Sequence, residues 1–223
     1  MPPPLRAVLF DLDGTILDTA PDMHRSLNEL LGERRRSALP YSAVRPQVSH
    51  GAAGVVKVGF PDTGREEFLA LQRRFIELYQ AGLSLETRLF PGMNQVLDEL
   101  SRRGLRAGIV TNKAGCLTEP LLEQLGLRAR FACVVSGDTV AERKPHPLPL
   151  LHAAASAGVT PQQCVYVGDA LRDVQSAHAA GMPALIARYG YIPADEDADS
   201  WGADGDIAAP LDLIGWIERS GRA

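Results

Sequence analysis

The sequence predicts an α/β protein: a doubly wound, Rossmann-like parallel sheet with a helical segment inserted after its first strand. Three observations carry this expectation. The run Ala7-Val8-Leu9-Phe10 is unbroken and apolar, as in a buried strand. From residue 93 onward, similar runs alternate with segments of helical periodicity, the pattern of βαβ units. Between the two, residues 18–88 carry only helical spacing. A core of residues 1–17 and 89–223 and a separate unit of residues 18–88 are therefore expected.

Each element follows from local pattern. Residues 21–36 read as a helix with Leu27, Leu30 and Leu31 on one stripe, and Pro40 interrupts it. Arg34, Arg35 and Arg36 suit a solvated helix end, where cations favour the dipole. Residues 44–57 are mixed, and Gly51, Ala52, Ala53 and Gly54 permit close packing or a tight turn. Residues 63–80 place Phe68, Leu71, Phe75, Ile76 and Tyr79 at helical spacing. Beyond a helix at 93–103, strands are expected at 105–110, 131–135, 164–167 and 184–187. Helices between them end at Gly126, Gly158 and Gly181. The acidic stretch 195–206 reads as a loop and 211–219 as a closing helix.

Composition excludes several classes. Of the 223 residues, 45% are hydrophobic and 22% charged, as in an ordinary globular chain. A net charge of −4 argues against a nucleic-acid partner, because phosphate backbones require a basic face. No apolar run is long enough to span a bilayer, and residues 1–6 lack a signal-peptide apolar region. A cytoplasmic protein without membrane contacts is expected. Cys116, Cys133 and Cys164 are widely spaced, which suits buried, inert thiols rather than a disulfide framework or zinc site.

Four polar clusters follow the apolar strands or lie close after them: Asp11/Asp13/Thr15, Thr111/Asn112, Lys144 and Asp169/Asp173. In a parallel sheet all carboxyl ends share one edge, so these clusters can converge there. Together they offer carboxylates, a hydroxyl, an amide and an ammonium. Oxygen ligands with excess carboxylate suit Mg²⁺. A lysine beside such a cluster suits a second anion, such as phosphate. Asp and Gly are also ordinary turn residues, and Lys144 by itself suits a surface turn.

These residues resemble the motifs of the haloacid dehalogenase superfamily of aspartyl-nucleophile phosphatases. Asp11-Leu12-Asp13-Gly14-Thr15 is similar to the first motif, Thr111-Asn112 to the second and Lys144-Pro145 to the third. Gly168-Asp169-Ala170-Leu171-Arg172-Asp173 is similar to the fourth. The resemblance implies that residues 18–88 form a helical cap domain. It implies Asp11 as nucleophile and Asp13 as general acid and base. Thr111, Asn112 and Lys144 would hold the phosphoryl oxygens. Asp11, the Asp13 carbonyl and Asp169 would ligate Mg²⁺, with Asp173 supporting. Asp13 also favours phosphate chemistry, because the superfamily's dehalogenases lack an acid at that position. Thr15 is expected to hold the loop or steady Asp13. Ala170 stands where relatives often carry Ser, Asp or Asn, which is expected to weaken Mg²⁺ binding. In the cap, Val48-Ser49-His50-Gly51-Ala52 resembles a substrate loop, with His50 and Gly51 the candidate contacts. His146 and His152 are read as non-catalytic.

The implied substrate is a small phosphorylated metabolite, with 2-phosphoglycolate foremost and N-acetylmuramic acid 6-phosphate as the alternative. A β-phosphoglucomutase-like mutase would need a second cationic phosphate site in the cap, where only Arg45 and Lys57 are candidates. A non-catalytic sensor would have lost a motif acid, and none is lost.

Overall fold

A computed structural model describes residues 3–221. The first strand, β1 (Ala7–Phe10), leads through a tight turn to β2 (Leu17–Asp18). Helices α1 (Ala20–Glu33), α2 (Tyr41–Val44), α3 (Gly51–Gly59) and α4 (Arg65–Ala81) follow, with a 3₁₀ turn at Arg45–His50 between α2 and α3. The chain returns through β3 (Arg88–Leu89). The rest alternates: α5 (Met93–Arg102), β4 (Arg106–Val110), α6 (Gly115–Gln124), β5 (Cys133–Val135), α7 (Leu148–Ser156), β6 (Cys164–Gly168), α8 (Leu171–Ala179) and β7 (Ala184–Ala187). It closes with β8 (Gly205–Ile207) and α9 (Asp212–Arg219).

The large sheet has the order β5-β4-β1-β6-β7-β8, and every pairing in it is parallel. β1 lies centrally, with Phe10 in register with Ile109 on one side and Val167 on the other. All four of its residues are buried, because both faces of the sheet are covered. Val8 and Phe10 join one core cluster with Val96 and Leu100 of α5, Leu121 of α6 and Leu213 of α9. Ala7 and Leu9 face the other way, toward Leu150 of α7 and Val174 of α8. This alternation carries the two-sided winding expected from the βαβ rhythm, and it delivers the residues after β1, β4 and β6 to one edge.

Two expectations need correction. Residues 18–88 are not helical throughout, since β2 and β3 at their ends pair antiparallel, Leu17 with Leu89 and Asp18 with Arg88. Two residues per strand are too short to show alternation in sequence. The acidic stretch 195–206 also holds a 3₁₀ turn at Ala198–Trp201 and the start of β8, an edge strand whose acidic side chains hid it. Among the cysteines, Cys133 and Cys164 are buried but Cys116 is exposed.

The two crossings between sheet and helices are bound together by a buried acid. Asp22, fully buried in α1, accepts hydrogen bonds from the Thr87 N–H (2.8 Å), the Thr87 hydroxyl (2.7 Å) and the Glu86 N–H. Asp22→Ala leaves these buried donors unpaired and is expected to lower unfolding stability by roughly 1–3 kcal/mol. Urea denaturation measures it, and a loss below ~0.5 kcal/mol, the range of ordinary surface changes, would contradict this role.

Candidate active site

The turn after β1 begins with Asp11, whose N–H still bonds Val167 in the sheet ladder. Its Oδ1 accepts from the Leu12 N–H at 2.8 Å and is ion-paired with Lys144 Nζ at 3.0 Å. Oδ2 has no hydrogen-bond partner among the described residues. Gly14 turns the chain with φ +82°, and a Cβ there would lie 2.1 Å from Asp169 Oδ2. Only glycine meets both demands.

Asp13 is half-buried. It accepts from Thr19 Oγ1 at 2.7 Å and from Lys113 Nζ at 3.0 Å. Thr19, rather than Thr15, therefore steadies this acid, and the buried Thr15 hydroxyl has no partner. Lys113 also donates to the Tyr79 phenol of α4 at 2.9 Å. Burial disfavours its charge, but Asp13 and Tyr79 outweigh that and hold the ammonium above its ordinary pKa.

Lys144 is fully buried, donates to Tyr166 Oη (2.7 Å) and Asp173 Oδ1 (2.8 Å), and forms an ion pair with Asp11 Oδ1 (3.0 Å). It is thus not a surface-turn lysine. Asn112 grips its backbone: Nδ2 donates to the Lys144 carbonyl at 2.9 Å and Oδ1 accepts from the Lys144 N–H at 3.0 Å. The Asn112 side chain therefore fastens the Lys144 segment. Thr111 directly follows β4, buried, and its Oγ1 accepts from the Lys113 N–H.

Asp11, Asp169 and Asp173 form a buried group whose ligand atoms lie within 4.8 Å of one another. Asp173 Oδ2 accepts from the Ala170 N–H at the start of α8. Burial raises the Asp173 pKa, and Lys144 opposes it. Asp169 Oδ2 accepts from the Tyr191 N–H and from Ser49 Oγ, both at 2.8 Å. Its Oδ1 is buried without a partner. Burial first, then Asp11 and Asp173, push the Asp169 carboxyl up to about 7. An orphaned carboxylate oxygen in an all-oxygen, electron-rich group fits a hard divalent cation.

A cavity of about 430 Å³ opens beside Asp11. Asp11, Asp13, Thr111, Asn112 and Lys113 line it from the sheet edge, and Val48, Ser49, His50, Gly51, Phe75 and Tyr79 line it from the helices. The structure thus brings His50 and Gly51 to the site. Arg45 and Lys57 are not on its wall: Arg45 donates to the Tyr189 carbonyl and Lys57 to the Pro61 carbonyl. The cations on the wall are Lys113, Arg143 and Arg172, all from the sheet side. Sequence reasoning assigned none of these three a role. Lys113 and Arg172 stood inside or beside motifs, which was the available signal; Tyr79 was read only as helix core.

A family model described as haloacid dehalogenase-like hydrolase matches residues 8–187. The chain belongs to this family. It is 46% identical over 208 residues to a phosphoglycolate phosphatase of Xanthomonas campestris pv. campestris, covering 93% of this chain and 94% of the relative. It is 40% identical over 210 residues to an N-acetylmuramic acid 6-phosphate phosphatase of Pseudomonas putida, covering 94% of each. The crystal structure of a predicted phosphoglycolate phosphatase from Haemophilus somnus superposes with a TM-score of 0.84 at 26% identity, covering 95% of this chain and 97% of that one. Within the haloacid dehalogenase-like hydrolases the chain is thus a phosphatase, a phosphoric monoester hydrolase.

The proton on Asp169 gives the metal-free protein a distinctive pH response. The folded carboxyl holds its proton up to about pH 7, whereas the unfolded one loses it near pH ~4. Folding takes up a proton in that window, so stability from this group falls as pH rises through it. In EDTA, wild type is expected to lose stability between pH 5 and 7 relative to Asp169→Asn, in which this group does not titrate. Parallel thermal melts of the two proteins across this range measure the difference.

Proposed function

We propose that the protein is a Mg²⁺-dependent phosphomonoesterase that works through an aspartyl-phosphate on Asp11, with 2-phosphoglycolate as the leading substrate. The observation that carries this reading is the pairing at the cavity floor. Asp11 has one oxygen anchored and one free, and Asp13 stands two residues on, held by Thr19 and Lys113. Residues 18–88 act as a cap over a core of residues 1–17 and 89–223. Residues 1, 2, 222 and 223 lie outside the described residues.

The residues take these roles. Asp11 Oδ2 attacks phosphorus in line with the ester oxygen, and the P–O bond to the leaving group breaks. Asp13 donates its proton to the departing alkoxide, then takes one from the water that cleaves the acyl phosphate. Lys144 offsets the negative charge of Asp11 as the phosphate dianion approaches. Thr111 and the backbone of Asn112 line the phosphoryl pocket, and Asn112 holds Lys144 in place. Asp11, Asp169, Asp173 and the Asp13 carbonyl would hold Mg²⁺, which when bound neutralises phosphoryl oxygen charge. His50 and Gly51 meet the substrate from the cap. No helix among the described residues is long and apolar enough to cross a membrane, and a cytoplasmic site of action is part of the proposal.

A second reading has its own support. The cavity of about 430 Å³ has an apolar wall from Met23, Val48, Phe75 and Ile76. That is ample for a sugar phosphate such as N-acetylmuramic acid 6-phosphate, and the relative of that name is 40% identical.

Asp11→Asn is expected to abolish phosphate release while the circular dichroism spectrum stays unchanged; turnover above background would remove Asp11 as nucleophile. Asp13→Asn is expected to cost roughly 10²–10⁴-fold in kcat for alkyl phosphates and far less for p-nitrophenyl phosphate, whose leaving group needs no proton. A Mg²⁺ assay of both named esters, β-glucose 1-phosphate and p-nitrophenyl phosphate ranks the substrates by kcat/KM. The higher value between the two named esters chooses between the readings, and glucose 6-phosphate appearing without phosphate release would contradict both.

A further inference from the structure

Ser49 lies in the 3₁₀ turn of the cap, yet its hydroxyl donates to Asp169 Oδ2 at 2.8 Å. Its carbonyl accepts from Arg172 Nη2 of α8 at 2.7 Å. The core thus grips the Ser49 backbone and aims its side chain at the acid group. Among the described residues, Ser49 is the one cap residue whose side chain bonds Asp11, Asp169 or Asp173. Asp169 Oδ2 has two partners, the rigid Tyr191 N–H and this cap hydroxyl, while Oδ1 has none.

We propose that Ser49 is a positioning residue for the metal centre, so that cap closure and metal loading are one linked equilibrium. The inference rests on reading Asp11, Asp169 and Asp173 as that centre. Two bonds on Oδ2 fix the carboxylate plane and leave the unpartnered Oδ1 for the ion. With the cap open, Asp169 keeps only the Tyr191 bond and is freer to rotate. Partners of this kind, which orient a metal ligand, typically carry roughly 10–100-fold in metal affinity. Reciprocity follows: whatever closure adds to metal affinity, the metal adds to closure.

The test is Mg²⁺ binding to substrate-free full-length protein by calorimetry, together with hydrogen exchange of residues 45–53. Ser49→Ala is expected to raise the Mg²⁺ Kd about 10-fold or more, and Ser49→Thr, which keeps the hydroxyl, is expected to restore it. Mg²⁺ is expected to slow exchange of this segment in wild type and not in Ser49→Ala. A Kd for Ser49→Ala within about twofold of wild type, or a wild-type exchange profile indifferent to Mg²⁺, overturns the coupling while leaving the phosphatase reading intact. A wild type that binds no Mg²⁺ and releases no phosphate overturns both.

Discussion

Three buried carboxylates within 4.8 Å repel one another strongly, and Lys144 is the chain's own answer to that repulsion. Its ammonium reaches Asp11 and Asp173, and a third bond goes to the Tyr166 phenol, which donates onward to the Val110 carbonyl. The charge is thereby tied to β6 and β4, the two strands flanking β1. Removing one member of such a buried pair leaves an uncompensated charge, which costs far more than an exposed pair ever contributes. Asp169 is the acid that Lys144 does not touch, and it is the one whose carboxyl is pushed up to about 7. Lys144 thus offsets two of the three acids, although burial still raises Asp173, and Asp169 is left without a cationic partner among the described residues. In the proposed reaction, which brings a dianion and a divalent metal together here, that imbalance is useful.

The helices meet this charged edge through polar contacts as well as apolar packing. Tyr79 reaches Lys113, which holds Asp13; Ser49 reaches Asp169; Arg45 reaches the Tyr189 carbonyl. Tyr191 gathers the crossing point, since its phenol accepts from the Thr19 and Ala20 N–H groups and donates to Asp18 while its own N–H bonds Asp169. Polar bonds of this kind can break and reform with water at small net cost, unlike a dry apolar seam. That suits the proposed role of residues 18–88 as a cap that admits substrate and then excludes solvent.

The fold was largely legible because its signals are local. The apolar run of β1 and the alternation after residue 93 gave the parallel sheet, and glycines after α6, α7 and α8 marked helix ends. The parts that were missed have few residues or the wrong polarity: β2 and β3 are too short to show a period, and β8 carries Asp206 at a sheet edge. At the site, Asp11 and Asp169 were legible because each directly follows an apolar strand that ends at the same edge, and Asp173 because it lies in the first turn of the next helix.

By itself, then, the sequence determined the class of fold and which acids and lysine meet, because strand ends in a parallel sheet share an edge wherever the helices lie. Only the tertiary structure decided what each side chain touches. Thr19 took the role expected of Thr15, and Asn112 turned to the Lys144 backbone. Lys113, Arg143 and Arg172 supply the wall's cations, while Arg45 and Lys57, the cap's candidates for a second phosphate site, lie off it, and Ser49 arrived 120 residues away from its partner Asp169. Such contacts depend on how the helical layer sits over the sheet. That placement is set by long-range packing and hydrogen bonds, which no local spacing records.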